Sequence, residues 1–178
     1  MSNRTSPDHR IDGLAIIYAR SLNHCIGIDG GLPWSLPDEY AHFNATTVGC
    51  PVIMGRRSFE DHEGALPDRL NIVLSQDRQY RVFDESVSDD ILLASSLAQA
   101  IQLAAAAHSI YFVIGGAGLI SEALPFANTV FETVVDAQIE GDTFLAPMDF
   151  SEWSTKLIDV HSVDSQHQFK FQVYRHSR

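Results

Sequence analysis

The stretch IGIDGGLPWSLPDEYAHF, residues 26–43, joins a glycine-rich loop to a tryptophan bracketed by two prolines and then to the start of a helix. Asp38 and Glu39 are adjacent there, so on a helix they diverge by about 100° and each shares a face with the residue four positions on. Glu39 pairs with Phe43, whereas Asp38 pairs with His42. Glu39 is therefore the carboxylate expected to point inward, where apolar surroundings disfavour its ionised form and raise its pKa. Such a group suits proton chemistry or the grip of a cationic heterocycle. The plainer role of a first-turn acid stabilised by the helix dipole fits Asp38 better.

Reading outward, Gly13 to Ala19 (GLAIIYA) is a continuous apolar run of strand length, as a strand covered on both faces requires. Helix is expected from Pro37 to Thr47, then a buried strand over Val52 to Met54 that ends at Gly55, where a short helix with Arg56, Arg57 and Ser58 begins. Leu70 to Ser75 reads as a third strand. Ser96 with Gln99 reads as a capping box for an alanine-rich helix to Ala107. Tyr111 to Ile114 is the next strand, followed by Gly115-Gly116 and a helix to Leu124, stopped by Pro125. Thr129 to Ala137, Thr155 to His161 and Gln168 to Arg175 read as later strands, the last two antiparallel at the sheet edge. Strands alternating with helices predict a single α/β domain with a central, mostly parallel sheet, an antiparallel edge and flanking helices. In such sheets ligands bind beyond the carboxyl ends of the strands, where Gly55, Gly115 and Gly116 lie.

Composition narrows the function classes. A chain of 178 residues with 45% hydrophobic content is most simply one core. A polar tail, disordered or extended, is expected over residues 1–12, before a domain at 13–178. That tail lacks the apolar run of a signal peptide, and no stretch approaches the ~18 to 20 apolar residues of a membrane span, so a cytoplasmic protein is expected, by default a monomer. Cys25 and Cys50 show no redox or metal spacing, and the eight histidines form no paired-ligand pattern, so no metal is implied. The net charge of −11 argues against nucleic acid. Five of the 12 cationic residues (Arg56, Arg57, Arg69, Arg78, Arg81) nevertheless fall close together, a patch that draws small anions to an acidic protein. Arg78 and Arg81 are equally well read as solvated arginines. Gly55-Arg56-Arg57-Ser58 and Gly115-Gly116-Ala117-Gly118 each follow a strand and open a helix, as backbone recognition of a pyrophosphate demands. GGAG alone is a weak signal and is not the GxGxxG of a Rossmann fingerprint.

Taken together, Ile26-Gly27, Pro33-Trp34, Leu36-Pro37, Glu39 and Phe43, with PVIMGRRSFE (51–60), LPDRLNIVLS (66–75), FVIGGAG (112–118), Thr133 and EGDTF (140–144), resemble the dihydrofolate reductase family over residues 13 to 175. The resemblance implies NADPH-dependent reduction of 7,8-dihydrofolate to tetrahydrofolate. It assigns Glu39 to the pteridine ring, with Thr133 behind it and Trp34 positioning a water. Phe43 would stack on the substrate, Arg69 would take its glutamate carboxylate, and Ile17, Ala19, Leu32, Leu66 and Ile114 would line the pocket. Gly55, Arg56, Arg57, Ser58, Ser75, Gly115, Gly116, Ala117 and Gly118 would hold the cofactor with Ala19, Ile26 and Ile120. Arg57 would be the partner of its 2′-phosphate, a cis peptide would join Gly115 to Gly116, and Asp29-Gly30-Gly31 would give a closing loop two flexible points. Departures from the family pattern are Ile120 for a tyrosine, Gly118 for a basic residue, Gln76 after the third strand, and Asp61 and His62 at the pocket mouth. Two alternatives stay open: a pyrimidinone reductase of riboflavin synthesis with the same fold, and a non-catalytic folate or nucleotide-binding module.

Overall fold

An apolar run without polar alternation needs cover on both faces, and β1 (Leu14–Ser21) has it. Leu14, Ile16 and Tyr18 pack into one cluster, while Ala15 and Ile17 pack into another on the opposite face. The computed structural model describes residues 10–61, 64–81 and 90–178. Most of the tail expected over 1–12, and His62, lie outside them. Ile11 is already anchored, its backbone N–H donating to Phe126 O at 2.8 Å.

After β1 come β2 (Cys25–Gly27), α1 (Pro37–Thr47), β3 (Val52–Gly55), α2 (Arg56–Asp61), β4 (Asn71–Leu74) and β5 (Ile91–Ala94). Then follow α3 (Leu97–Ala107), β6 (Tyr111–Gly115), α4 (Ala117–Ala123), β7 (Thr129–Val135), β8 (Thr143–Phe144), β9 (Ser154–His161) and β10 (Phe171–Ser177). Eight strands form one sheet in the order β5-β4-β3-β6-β1-β7-β10-β9. All neighbours are parallel except β10, which runs antiparallel to both β7 and β9. The α/β class and the antiparallel edge are as the sequence leads one to expect.

α1 begins at Pro37 because proline lacks only an N–H that the first turn leaves unused. α4 ends one residue earlier than expected, and Pro125 sits inside a 3-10 turn, Leu124–Phe126. The capping box is only half formed. Ser96 Oγ accepts the Gln99 N–H at 3.2 Å, but the Gln99 side chain reaches one residue too far back and takes the Ser95 N–H at 2.8 Å. β2, β5 and β8 carry no clear sequence signal, being two to four residues long and held by their neighbours.

α3 and α4 cover one face of the sheet through Leu97, Ala100, Ile101, Ile120 and Ala123; α1 and α2 cover the other through Phe43 and Phe59. The parallel neighbours β3 and β6 are thus followed by helices on opposite faces. That divergence opens a crevice at their carboxyl ends.

Candidate active site

Glu39, in the first turn of α1, is 6% exposed, and burial pushes its carboxyl above the ordinary range, partly offset by a hydrogen bond from Thr133. Asp38, one position before it on the helix, is more than half exposed and lies 3.2 Å from His161 Nδ1. The i, i+4 register therefore holds. Burial lowers the pKa of His42 on Asp38's side of the helix, with Asp159 opposing. Thr133 lies opposite Ala19 in the parallel pairing of β7 with β1, so both share the face that α1 covers. Trp34 closes the far side, with its Nε1 buried and without a hydrogen-bond partner among the described residues. A buried donor left open in this way suits a water or a ligand acceptor. Between Leu32, Trp34, Leu36, Glu39 and Tyr40 lies a cavity of about 250 Å³.

Farther along the same face, Phe43, Ile114, Ile17 and Leu66 form a continuous apolar wall. Arg69 ends it. Its guanidinium lies 5.8 Å from the Phe43 ring and donates to Pro67 O (2.8 Å), Thr47 Oγ1 (2.8 Å) and Asn44 Oδ1 (3.0 Å). Neither Asp68 nor Asp61 pairs with it, so this buried cation has neutral partners and two N–H groups left over. The loop that presents Arg69 is tied by Asn71, which sequence reasoning missed. Its side chain accepts the Leu66 N–H and donates to Leu66 O and Arg69 O, each at 2.9 Å. The only signal was an asparagine opening a buried strand.

At the switch point, Gly115 and Gly116 face the Ser58 hydroxyl, and Gly55 lies beside the Gly116 amide. The Gly115–Gly116 peptide is cis and Gly115 has φ +151, a conformation side-chain-bearing residues rarely adopt. A Cβ built on Gly116 would stand 3.4 Å from Ser58 Oγ, and one on Gly118 would meet nothing within 4 Å. The chain thus leaves a bare backbone ledge opening onto the N-terminus of α4, with Ala117 at its first position. Arg57 is exposed, while Arg56 lies over the Tyr80 ring and within 3.7 Å of Glu60 and Asp77. Ser75 directly follows β4, and Ile26 packs against the core.

Ile120, expected beside the cofactor, is 1% exposed and packs in the core beneath α4. In the 29–31 loop Asp29 (φ 48) and Gly30 (φ 77) form a two-residue turn closed by Ile28–Gly31 hydrogen bonds of 2.9 and 3.0 Å, and Asp142 accepts the Asp29 N–H at 2.8 Å.

A doubly covered α/β sheet with a glycine ledge at its switch point and a buried carboxylate beside it places this chain among α/β proteins that bind small molecules at the carboxyl ends of their strands. A family model described as dihydrofolate reductase matches residues 13–178. The chain is 34% identical to the type 3 dihydrofolate reductase of Salmonella typhimurium over 165 residues (93% of this chain, 98% of the relative). It is 33% identical to the dihydrofolate reductase of Haemophilus influenzae over 155 residues (87% and 92%). The solved dihydrofolate reductase from Enterococcus faecalis, complexed with NADP(H), superposes with a TM-score of 0.83 at 26% identity, covering 96% of this chain and 97% of that one. This chain belongs to the dihydrofolate reductase family.

Proposed function

We propose that this chain reduces 7,8-dihydrofolate to 5,6,7,8-tetrahydrofolate with NADPH, and that the buried Glu39 is the residue on which the reaction turns. The observation that carries the reading is a single acid in an apolar site, bonded by Thr133 and placed on one face with Phe43 and Arg69. A carboxylate with two oxygens accepts from the 2-amino and N3 groups of a pteridine in a bidentate pair. Phe43 stacks on the ring, Ile17, Ala19, Leu66 and Ile114 exclude water from its faces, and Arg69 takes the carboxylate of the glutamate tail.

The ledge of Gly55, Gly115, Gly116, Ala117 and Gly118 fits a pyrophosphate, with Ser58 and Arg56 beside it, Ser75 and Ile26 at its margins, and Arg57 free to meet a 2′-phosphate. When bound, NADPH supplies the hydride that C6 of the substrate accepts. The residues of the chain govern the accompanying proton. Water admitted past Leu32 and held by the open Nε1 of Trp34 protonates N5, while Glu39 orients the ring and sets its electrostatics. Burial makes Glu39 a strong acceptor, and the Thr133 bond fixes its rotamer.

The proposed setting is the cytoplasm, with the protein acting as a monomer on small molecules. A net charge of −11 opposes nucleic acid, and among the described residues no helix is long and apolar enough to cross a membrane. Mixing the protein with NADPH and dihydrofolate and following the absorbance of the reduced cofactor tests the reading. Dihydrofolate-dependent oxidation of NADPH is the expected result; its absence in folded protein would overturn the proposal.

A further inference from the structure

We propose that Asp38, His161 and His167 form a site for a divalent transition-metal ion of the zinc type, joining the β9–β10 connection to the first turn of α1. Among the described residues these three alone bring His Nδ1, His Nε2 and a carboxylate oxygen within 4.8 Å of one another. Asp38 Oδ2 lies 3.2 Å from His161 Nδ1 and 3.7 Å from His167 Nε2. A tetrahedral zinc with bonds of 2.0–2.1 Å has ligand-to-ligand edges of about 3.3 Å, close to both Asp38 distances.

Asp164 sets the rings for this. Its Oδ2 lies 3.0 Å from His161 Nε2 and its Oδ1 lies 2.8 Å from His167 Nδ1. Its Oδ1 also accepts the backbone N–H groups of Gln166 and His167, both at 2.8 Å. With one ring nitrogen of each histidine engaged by Asp164, the opposite nitrogen of each ring faces Asp38. One carboxylate orienting two metal-facing imidazoles is the arrangement that histidine–metal sites use.

The lone pair on His167 Nε2 is independently visible, because the Asp38 amide donates to it at 3.1 Å. A metal would displace that bond, and an amide in the first turn of a helix has water as its ordinary alternative. His161 Nδ1 and Asp38 Oδ2 lie 3.2 Å apart, close enough for both to ligate one metal ion. Two imidazoles and one carboxylate select zinc, cobalt, nickel or copper over magnesium and calcium. Three protein ligands leave a fourth position for water.

The test is calorimetric titration of tag-free protein with Zn²⁺ near pH 7.5, with thermal unfolding alongside and Co²⁺ as the spectroscopic probe. One ion per chain should bind at about micromolar Kd or tighter, and free zinc at 100 times Kd should raise Tm by about 5–10 °C. Co²⁺ should give the intense visible bands of a four-coordinate ion. Asp38→Asn, an exposed change that leaves the core untouched, and His161→Ala should each weaken binding at least tenfold. Asp164→Asn should weaken it about 10- to 100-fold, and His108→Ala should change nothing. Absence of stoichiometric binding, which a proton held between Asp38 and His161 would produce, overturns the proposal. So does binding that survives both Asp38→Asn and His161→Ala.

Discussion

Truncating Arg69 to alanine separates a substrate anchor from a structural arginine. The guanidinium gives three N–H groups to Pro67 O, Thr47 Oγ1 and Asn44 Oδ1, and two are left to grip a carboxylate. Charge-assisted hydrogen bonds contribute about 1.5–3 kcal/mol. Losing the grip should therefore raise Kd for dihydrofolate about 10- to 150-fold. The same change removes three internal bonds at a net of about 0.5–1.5 kcal/mol each, so Tm should fall by roughly 3–18 °C. Thr47 still donates to Phe43 O at 2.9 Å, so the end of α1 keeps one of its ties. Binding is best measured at about 15 °C, where both proteins are folded, by fluorescence titration with dihydrofolate and with a dihydropteridine lacking the glutamate. The truncated ligand should bind variant and parent within about threefold, a margin that allows for slight movement of Phe43. Equal losses on both ligands, or none on either, would remove Arg69 from the substrate site.

Glu39→Gln should lower turnover at neutral pH by orders of magnitude and leave NADPH binding nearly unchanged, while Asp38→Asn stays close to the parent; steady-state kinetics and cofactor titration distinguish them. Because the folded protein raises the Glu39 pKa, the parent loses stability as pH climbs from the unfolded pKa through the folded one. Thermal melts should thus show Glu39→Gln gaining on the parent with rising pH across that window, and a gain that shrinks with pH would contradict the burial argument. Arg57→Ala should erode the ratio of kcat/KM for NADPH over NADH, and a parent that uses both equally would sink the assignment. Glu132 is buried behind the site, accepting from Arg20 Nε (2.6 Å) and the Tyr18 hydroxyl (3.1 Å) and lying 2.9 Å from His176 Nε2. Burial alone would raise its pKa, but the His176 hydrogen bond and Arg20 outweigh it and the net shift is downward. Glu132→Gln should cost about 3–5 kcal/mol near neutral pH in denaturant titrations. The gap to the parent should narrow as acid protonates Glu132, since a depressed carboxyl loses its contribution as pH falls through its folded pKa.

Local patterns carried much of this protein. The spacing of Glu39 and Phe43 decides which acid turns inward, because a helix repeats every 3.6 residues whatever it packs against. The apolar run of β1 and the Gly-Gly after β6 likewise declare a strand buried on both faces and a bare ledge, since each depends only on neighbouring residues. Other features wait for the fold. Asn71 ties the Arg69 loop only once Leu66 and Arg69 curl around it. Glu132 sits beside Thr133 in sequence, yet alternation along β7 sends one into the Tyr18–Arg20–His176 network and the other to Glu39. Asp38 meets His161 and His167 across more than 120 positions, because α1 lies over the antiparallel edge. Such partners lie far apart along the chain, and only the packing of a helix onto a sheet brings them within bonding distance.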